Sequence, residues 1–145
     1  MENDMDNMQK ENQQDINNKK LVNTGLACLD IVARMNRVDI DMRAMVKEFG
    51  IDSQDLSAEE LLRIAKTTGF KIKNKNLKIK DISPNYPLPA IAQLENESYV
   101  VILGIKSEEN RVLVLNPLSA QPEAFVIEEF EKQINGKIFI LKSFL

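Results

Sequence analysis

Up to residue 69 the apolar positions recur with helical spacing, and beyond Gly69 they alternate as in strands. TGLACLDIVARM, from about Thr24 to Met35, is apolar on nearly every side, with Asp30 and Arg34 set at i, i+4. Such a helix belongs at the centre of a domain. A second helix is expected from Asp41, a fair N-cap, through Met42, Met45, Val46 and Phe49 to Gly50. The third opens on Ser57-Ala-Glu-Glu60, a capping box in which the serine hydroxyl serves the first-turn amides while Glu60 reaches back. It turns Leu61, Leu62, Ile64 and Ala65 inward before Gly69.

After Gly69, Phe70, Ile72, Leu77 and Ile79 alternate with Lys and Asn, and SPNYPLP (83–89), with three prolines, reads as a loop. Strands are expected at AIAQL (90–94), SYVVILGI (98–105), RVLVLN (111–116), AFVIEEF (124–130) and KIFILKSF (137–144). The last of these is entered through a turn at Asn135-Gly136. KSEEN is a polar hairpin loop, and EEFEKQ (128–133) suits a short helix better than a strand. Helices come first and a meander of strands follows, without βαβ alternation. That order predicts an α+β fold, its antiparallel sheet packed on the first helix.

Residues 1–20 are dominated by Asn, Gln, Asp and Glu and bury too little to offset their ordering entropy. They read as a flexible polar tail before one domain, 21–145. Hydrophobic residues make up 43% of the chain and net charge is −3, so this is an ordinary soluble profile. No apolar run reaches the roughly 18 residues of a membrane span, and the N-terminus lacks the regions of a secretory signal. The basic stretch KIKNKNLKIK (71–80) reads either as a solvated strand edge or as a nucleic-acid stripe. The edge explains it more simply, because few aromatics accompany it.

The chain has no histidine and one cysteine. That removes Ser-His-Asp and Cys-His catalysis, structural zinc and any internal disulfide. Thr24, at the mouth of the first helix, is a nucleophile without a base or, more simply, an N-cap. Cys28 lies among Ala27, Leu29, Ile31 and Val32 as a buried inert thiol. Glu59-Glu60 and Glu128-Glu129 fall in first turns, where the helix dipole accounts for them. Asn116-Pro117 is accounted for by turn chemistry. The residues alone support a soluble α+β binding domain.

Taken in order, however, these positions resemble the papain-like, bacteriocin-processing (double-glycine) peptidase family, over about Leu21 to Leu145. In that family a helix opens Asp-Cys-Gly-x-Ala-Cys-Leu, with the first cysteine as nucleophile. Here the frame reads Asn23-Thr24-Gly25-Leu26-Ala27-Cys28-Leu29. Ser98, opening SYVVILGI, stands where the resemblance places the basic His, and Asn116 of Asn116-Pro117 stands at the orienting Asp. Asn18 matches the oxyanion Gln.

The resemblance therefore implies a papain-like fold with all three triad positions vacated. It points to the degenerate peptidase-like domains at the N-terminus of haemolysin-type (RTX) type I secretion ABC exporters. What it implies is a non-enzyme that recruits the unfolded secretion substrate, with Thr24, Ser98, Tyr99, Asn116 and Tyr86 as candidate substrate contacts. No metal is expected, and ATP only at a separate nucleotide-binding domain. The partners implied are that substrate and the rest of the transporter, with no nucleic acid and no membrane insertion of this domain. It would be the cytoplasmic domain of an inner-membrane transporter, excised from a longer chain. The alternatives are a regulatory or structural domain without substrate contact, and a residual leader peptidase.

Overall fold

The unbroken apolar run of SYVVILGI becomes a strand covered on both sides, which is why it shows no polar face. In the computed structural model, which describes residues 23–52, 55–82, 86–119 and 121–143, this strand lies in the interior of a six-stranded sheet. The polar tail and Asn18 fall outside the described residues. Among the described residues three helices come first: α1 (Thr24–Met35), α2 (Met42–Phe49) and α3 (Ala58–Thr67). Then follow β1 (Phe70–Asn76), a single turn α4 (Ile79–Ile82), β2 (Ala90–Leu94), β3 (Tyr99–Lys106), β4 (Arg111–Leu115), β5 (Pro122–Val126), α5 (Ile127–Glu131) and β6 (Ile134–Ser143). Every pairing is antiparallel, as the order of elements predicts.

Alternate side chains divide the core into two layers. On one face Ile91, Tyr99, Val101, Phe139 and Leu141 meet Leu26, Cys28, Leu29, Val32 and Ala33 of α1 and Leu61, Ile64 and Ala65 of α3. On the other, Ala90, Ala92, Val100, Ile102, Ile138 and Ile140 meet Ile79 and Ile82 of α4 and Ile127 and Phe130 of α5. The period of two along each strand fixes which neighbour goes to which layer. No helix among the described residues is long and apolar enough to cross a membrane.

The helix termini follow their sequence signals. Asp41 caps α2 through Ala44 N, and Gly50 ends it at φ 62°. Both hydrogen bonds of the Ser57/Glu60 capping box form, and Gly69 adopts φ 92° after α3. Val46 points outward, whereas Met45 is buried.

Three expectations need correction. The alternation through Leu77 and Ile79 does not extend the strand. β1 stops at Asn76, and Ile79 and Ile82, three apart, bury one side of the turn α4. The strands are not a simple meander either, since the sheet order β1-β6-β2-β3-β4-β5 inserts the final strand between the first two. Asn135-Gly136 is no turn: both residues lie inside β6, where pairing with β2 moves from Ala92↔Ile138 to Leu94↔Ile134 and Gly136 takes φ 88°. A glycine at positive φ serves a strand irregularity as well as it serves a hairpin.

Leu29 is wholly buried at the centre of the first layer. Leu29→Ala is expected to lower unfolding free energy by about 2–5 kcal/mol, through lost transfer energy and a residual cavity. Urea unfolding checks this; a change below about 0.5 kcal/mol, the scale of a surface substitution, would contradict the packing described.

Candidate functional site

The start of α1 is held by two side chains that accept hydrogen bonds. Asn23, not Thr24, is the N-cap: its backbone is extended (φ −72°, ψ 123°), and its Oδ1 accepts from Leu26 N and Leu56 N, both at 3.3 Å. Thr24 is the first helical residue, which corrects the capping role expected from sequence.

The second acceptor is Asp55. Its Oδ1 accepts from Thr24 N at 2.6 Å, from Thr24 Oγ1 at 2.6 Å and from Gly25 N at 3.3 Å. A carboxylate at a helix N-terminus is favoured both by the unsatisfied amides and by the macrodipole. The Thr24 hydroxyl also accepts from Tyr99 N at 3.0 Å, where β3 begins. Its proton and a lone pair are thus both engaged, and Thr24 is buried.

Tyr99 carries the network inward. Its hydroxyl donates to Leu56 O at 2.7 Å and accepts from Gln93 Nε2 at 3.2 Å, while Gln93 Oε1 accepts from Asn135 Nδ2 at 2.6 Å. The ring stands edge-on to Phe139, centroids 5.9 Å apart. Gly25 lies close against this ring, and a Cβ there would sit 3.1 Å from two of its carbons, a tight contact. Burial first, then the negative charges of Asp55, Glu59 and Glu60, raise the pKa of Tyr99 well above the ordinary phenol value. Burial, then Asp55, likewise raises the Cys28 thiol. The thiol is wholly buried, and so remains in its unreactive protonated form at neutral pH.

The remaining candidates lie elsewhere. Ser98 is half-buried, and its hydroxyl and amide both donate to Asn96 Oδ1. Asn116 is exposed, its Oδ1 accepting from Leu118 N at 2.9 Å in the turn. Neither residue hydrogen-bonds to Thr24. Asn116 lines a cavity of about 480 Å³ together with Val100, Val114, Phe125 and Phe130, which belong to the layer opposite α1. Tyr86 lies under the Lys75 ammonium, 5.1 Å from its ring centroid. The five candidate contacts therefore do not form one groove. Above the α1 network lies a different depression, about 330 Å³, lined by Asp55, Glu59, Glu60, Glu97, Gln93, Asn135 and Lys137. Among the described residues no group of His, Cys, Asp or Glu is placed to hold a metal ion.

Two expectations follow. Asp55→Ala strands two amides and a hydroxyl, at a cost of about 1–3 kcal/mol by the penalty for an unpaired buried donor. Asp55→Asn keeps an acceptor oxygen and is expected to cost less; urea midpoints of both variants check the order. The second concerns alkali. Unfolded, the thiol and the phenol release protons near about 8.5 and about 10, whereas the fold holds both protons to higher pH. The folded state then binds more protons, so stability is complete below about pH 8.5 and falls as pH rises, more steeply past about 10. Tyr99→Phe should flatten the upper part of that slope in urea midpoints measured across this range.

The Peptidase C39 family model matches residues 13–143. Over 128 residues, 88% of this chain, the sequence is 27% identical to the leukotoxin export ATP-binding protein LtxB of Aggregatibacter actinomycetemcomitans. It is 26% identical over 83% of the chain to the alpha-hemolysin translocation ATP-binding protein HlyB of Proteus vulgaris. The chain spans 18% and 17% of the length of these relatives. Among solved structures, the N-terminal peptidase C39 like domain of the toxin secretion ATP-binding protein from Vibrio parahaemolyticus matches at TM-score 0.74. Identity is 24%, with 84% of this chain and 98% of that one covered. A double glycine motif protease from an AMS/PCAT transporter, in complex with its leader peptide, matches at TM-score 0.72 and 19% identity, covering 83% and 84%. Its papain-like fold and its match over nearly the whole chain make this protein a member of the Peptidase C39 family.

Proposed function

We propose that this domain is a non-catalytic member of its family that recruits an unfolded, RTX-type secretion substrate to a type I secretion ABC exporter. The observation that carries the reading is the Asp55 carboxylate seated on the first amides of α1. Acyl transfer at this helix would need a nucleophile with a free lone pair, a base to take its proton, and N–H groups open to a developing oxyanion. The Thr24 hydroxyl is engaged on both sides, the chain has no histidine, and the amides already face a negative charge. Ser98, at the position the resemblance gives to the base, offers only a hydroxyl bonded to Asn96.

The recruiting half of the proposal is supported by relatives named for leukotoxin export and alpha-hemolysin translocation. A structural neighbour holds a leader peptide. In this reading the domain faces the cytoplasm on an inner-membrane transporter, ATP is bound by another part of that protein, and the peptide-binding habit of the family outlasts its chemistry. Contact with substrate falls to the accessible surface, because Thr24 and Tyr99 are buried.

Two measurements test the two halves. Incubation with a double-glycine leader peptide, followed by mass spectrometry, is expected to yield no product; cleavage that disappears in Thr24→Ala would restore the enzyme. Titration of the labelled domain with calcium-free, unfolded RTX protein is expected to perturb amide resonances at the surface. An unchanged spectrum at saturating substrate would remove the recruiting role.

A further inference from the structure

We infer that the β1–β6 margin of the sheet is a docking strip for an extended peptide with acidic residues at alternate positions. This rests on the recruiting role and names both the face and the chemistry it selects. Lys71, Lys73 and Lys75 follow one another at every second position of β1, so their side chains leave the same face of the strand, about 6.6 Å apart by the rise of a strand. Lys142 lies opposite Lys71 on β6. Together with Tyr86 and Ile140 these four lysines line a cleft of about 130 Å³. Ile140 is buried and forms an apolar floor, while the Tyr86 ring lies under the Lys75 ammonium.

The charge of this strip is not neutralised from within. Among the described residues the ion pairs are Asp30–Arg34, Lys80–Glu128 and Glu129–Lys132, and none involves these four lysines. The chain as a whole is acidic, net −3, so a local cluster of four cations stands against the general field.

Among the described residues β1 also ends the sheet, pairing only with β6. Its outer margin can therefore receive another extended chain by backbone hydrogen bonding. A strand laid there repeats its side chains with the same period of two, which brings alternate carboxylates opposite successive lysines. The intervening side chains need not be charged. Nucleic acid fits less well: a single aromatic accompanies the lysines, the cleft is short, and the chain as a whole carries a net charge of −3.

Fluorescence anisotropy with a short labelled peptide alternating aspartate and leucine tests the strip on the intact chain. Lys71→Gln, Lys73→Gln and Lys75→Gln together are expected to weaken binding at least about tenfold and to flatten its dependence on salt. Lys47→Gln, Lys66→Gln and Lys106→Gln remove the same charge elsewhere on the surface and are expected to leave binding within about twofold. A control peptide with asparagine in place of each aspartate is expected not to bind. Equal loss in both triple variants, equal binding of the neutral peptide, or tighter binding of a single-stranded oligonucleotide of matched charge would each overturn the inference. The two readings separate cleanly. If unfolded RTX protein binds both triple variants as it binds the parent, recruitment stands and the lysine strip falls. If only the acidic peptide binds, the strip stands and recruitment falls.

Discussion

The Oδ1 atom of Asp55 accepts from two amides and a hydroxyl at the start of α1, and that same hydroxyl receives the first amide of β3. Segments separated by 31 and 75 residues are thereby joined at one oxygen and its neighbour. Much of the local architecture follows from keeping this junction satisfied. Asn23 takes up the amides of Leu26 and Leu56, and the Tyr99 ring closes over Gly25. Among the described residues no buried side-chain nitrogen or oxygen lacks a partner. A polar network that is fully paired can define a single arrangement of helix and sheet, where a purely apolar contact would tolerate sliding.

Charge is distributed unevenly around this centre. Asp55, Glu59, Glu60 and Glu97 surround the depression over the start of α1, whereas the lysines of β1 and β6 occupy the far side of the sheet. An acidic segment would be turned away from the helix entrance, and a basic one from the sheet margin. The domain thus presents two surfaces of opposite electrostatic preference, separated by a single sheet.

Local signals made most elements legible. The capping box at Ser57, the glycine stops at Gly50 and Gly69, and the strands β2 and β3 each follow from a few adjacent residues. The alternation that marks Tyr99 and Val101 against Val100 and Ile102 also distributes them between the layers. What escaped was non-local. Asp55 stands two residues before a capping serine, and nothing near it in sequence points to a helix 31 residues earlier. The positions of Thr24, Ser98 and Asn116 were marked by resemblance, but that marking carried no information on burial or on the carboxylate lodged at the helix. Asn135-Gly136 misled because a positive-φ glycine serves a strand irregularity as readily as a turn.

The insertion of β6 between β1 and β2 has a bearing on how the protein is made. Until residues 134–143 have left the ribosome, β1 with its helix α3 and the β2–β5 hairpins are two fragments without a shared hydrogen-bonded edge, each exposing an apolar face. Synthesis therefore delivers the keystone of the sheet last, and the nascent chain must wait, open-edged, for the strand that joins its two parts.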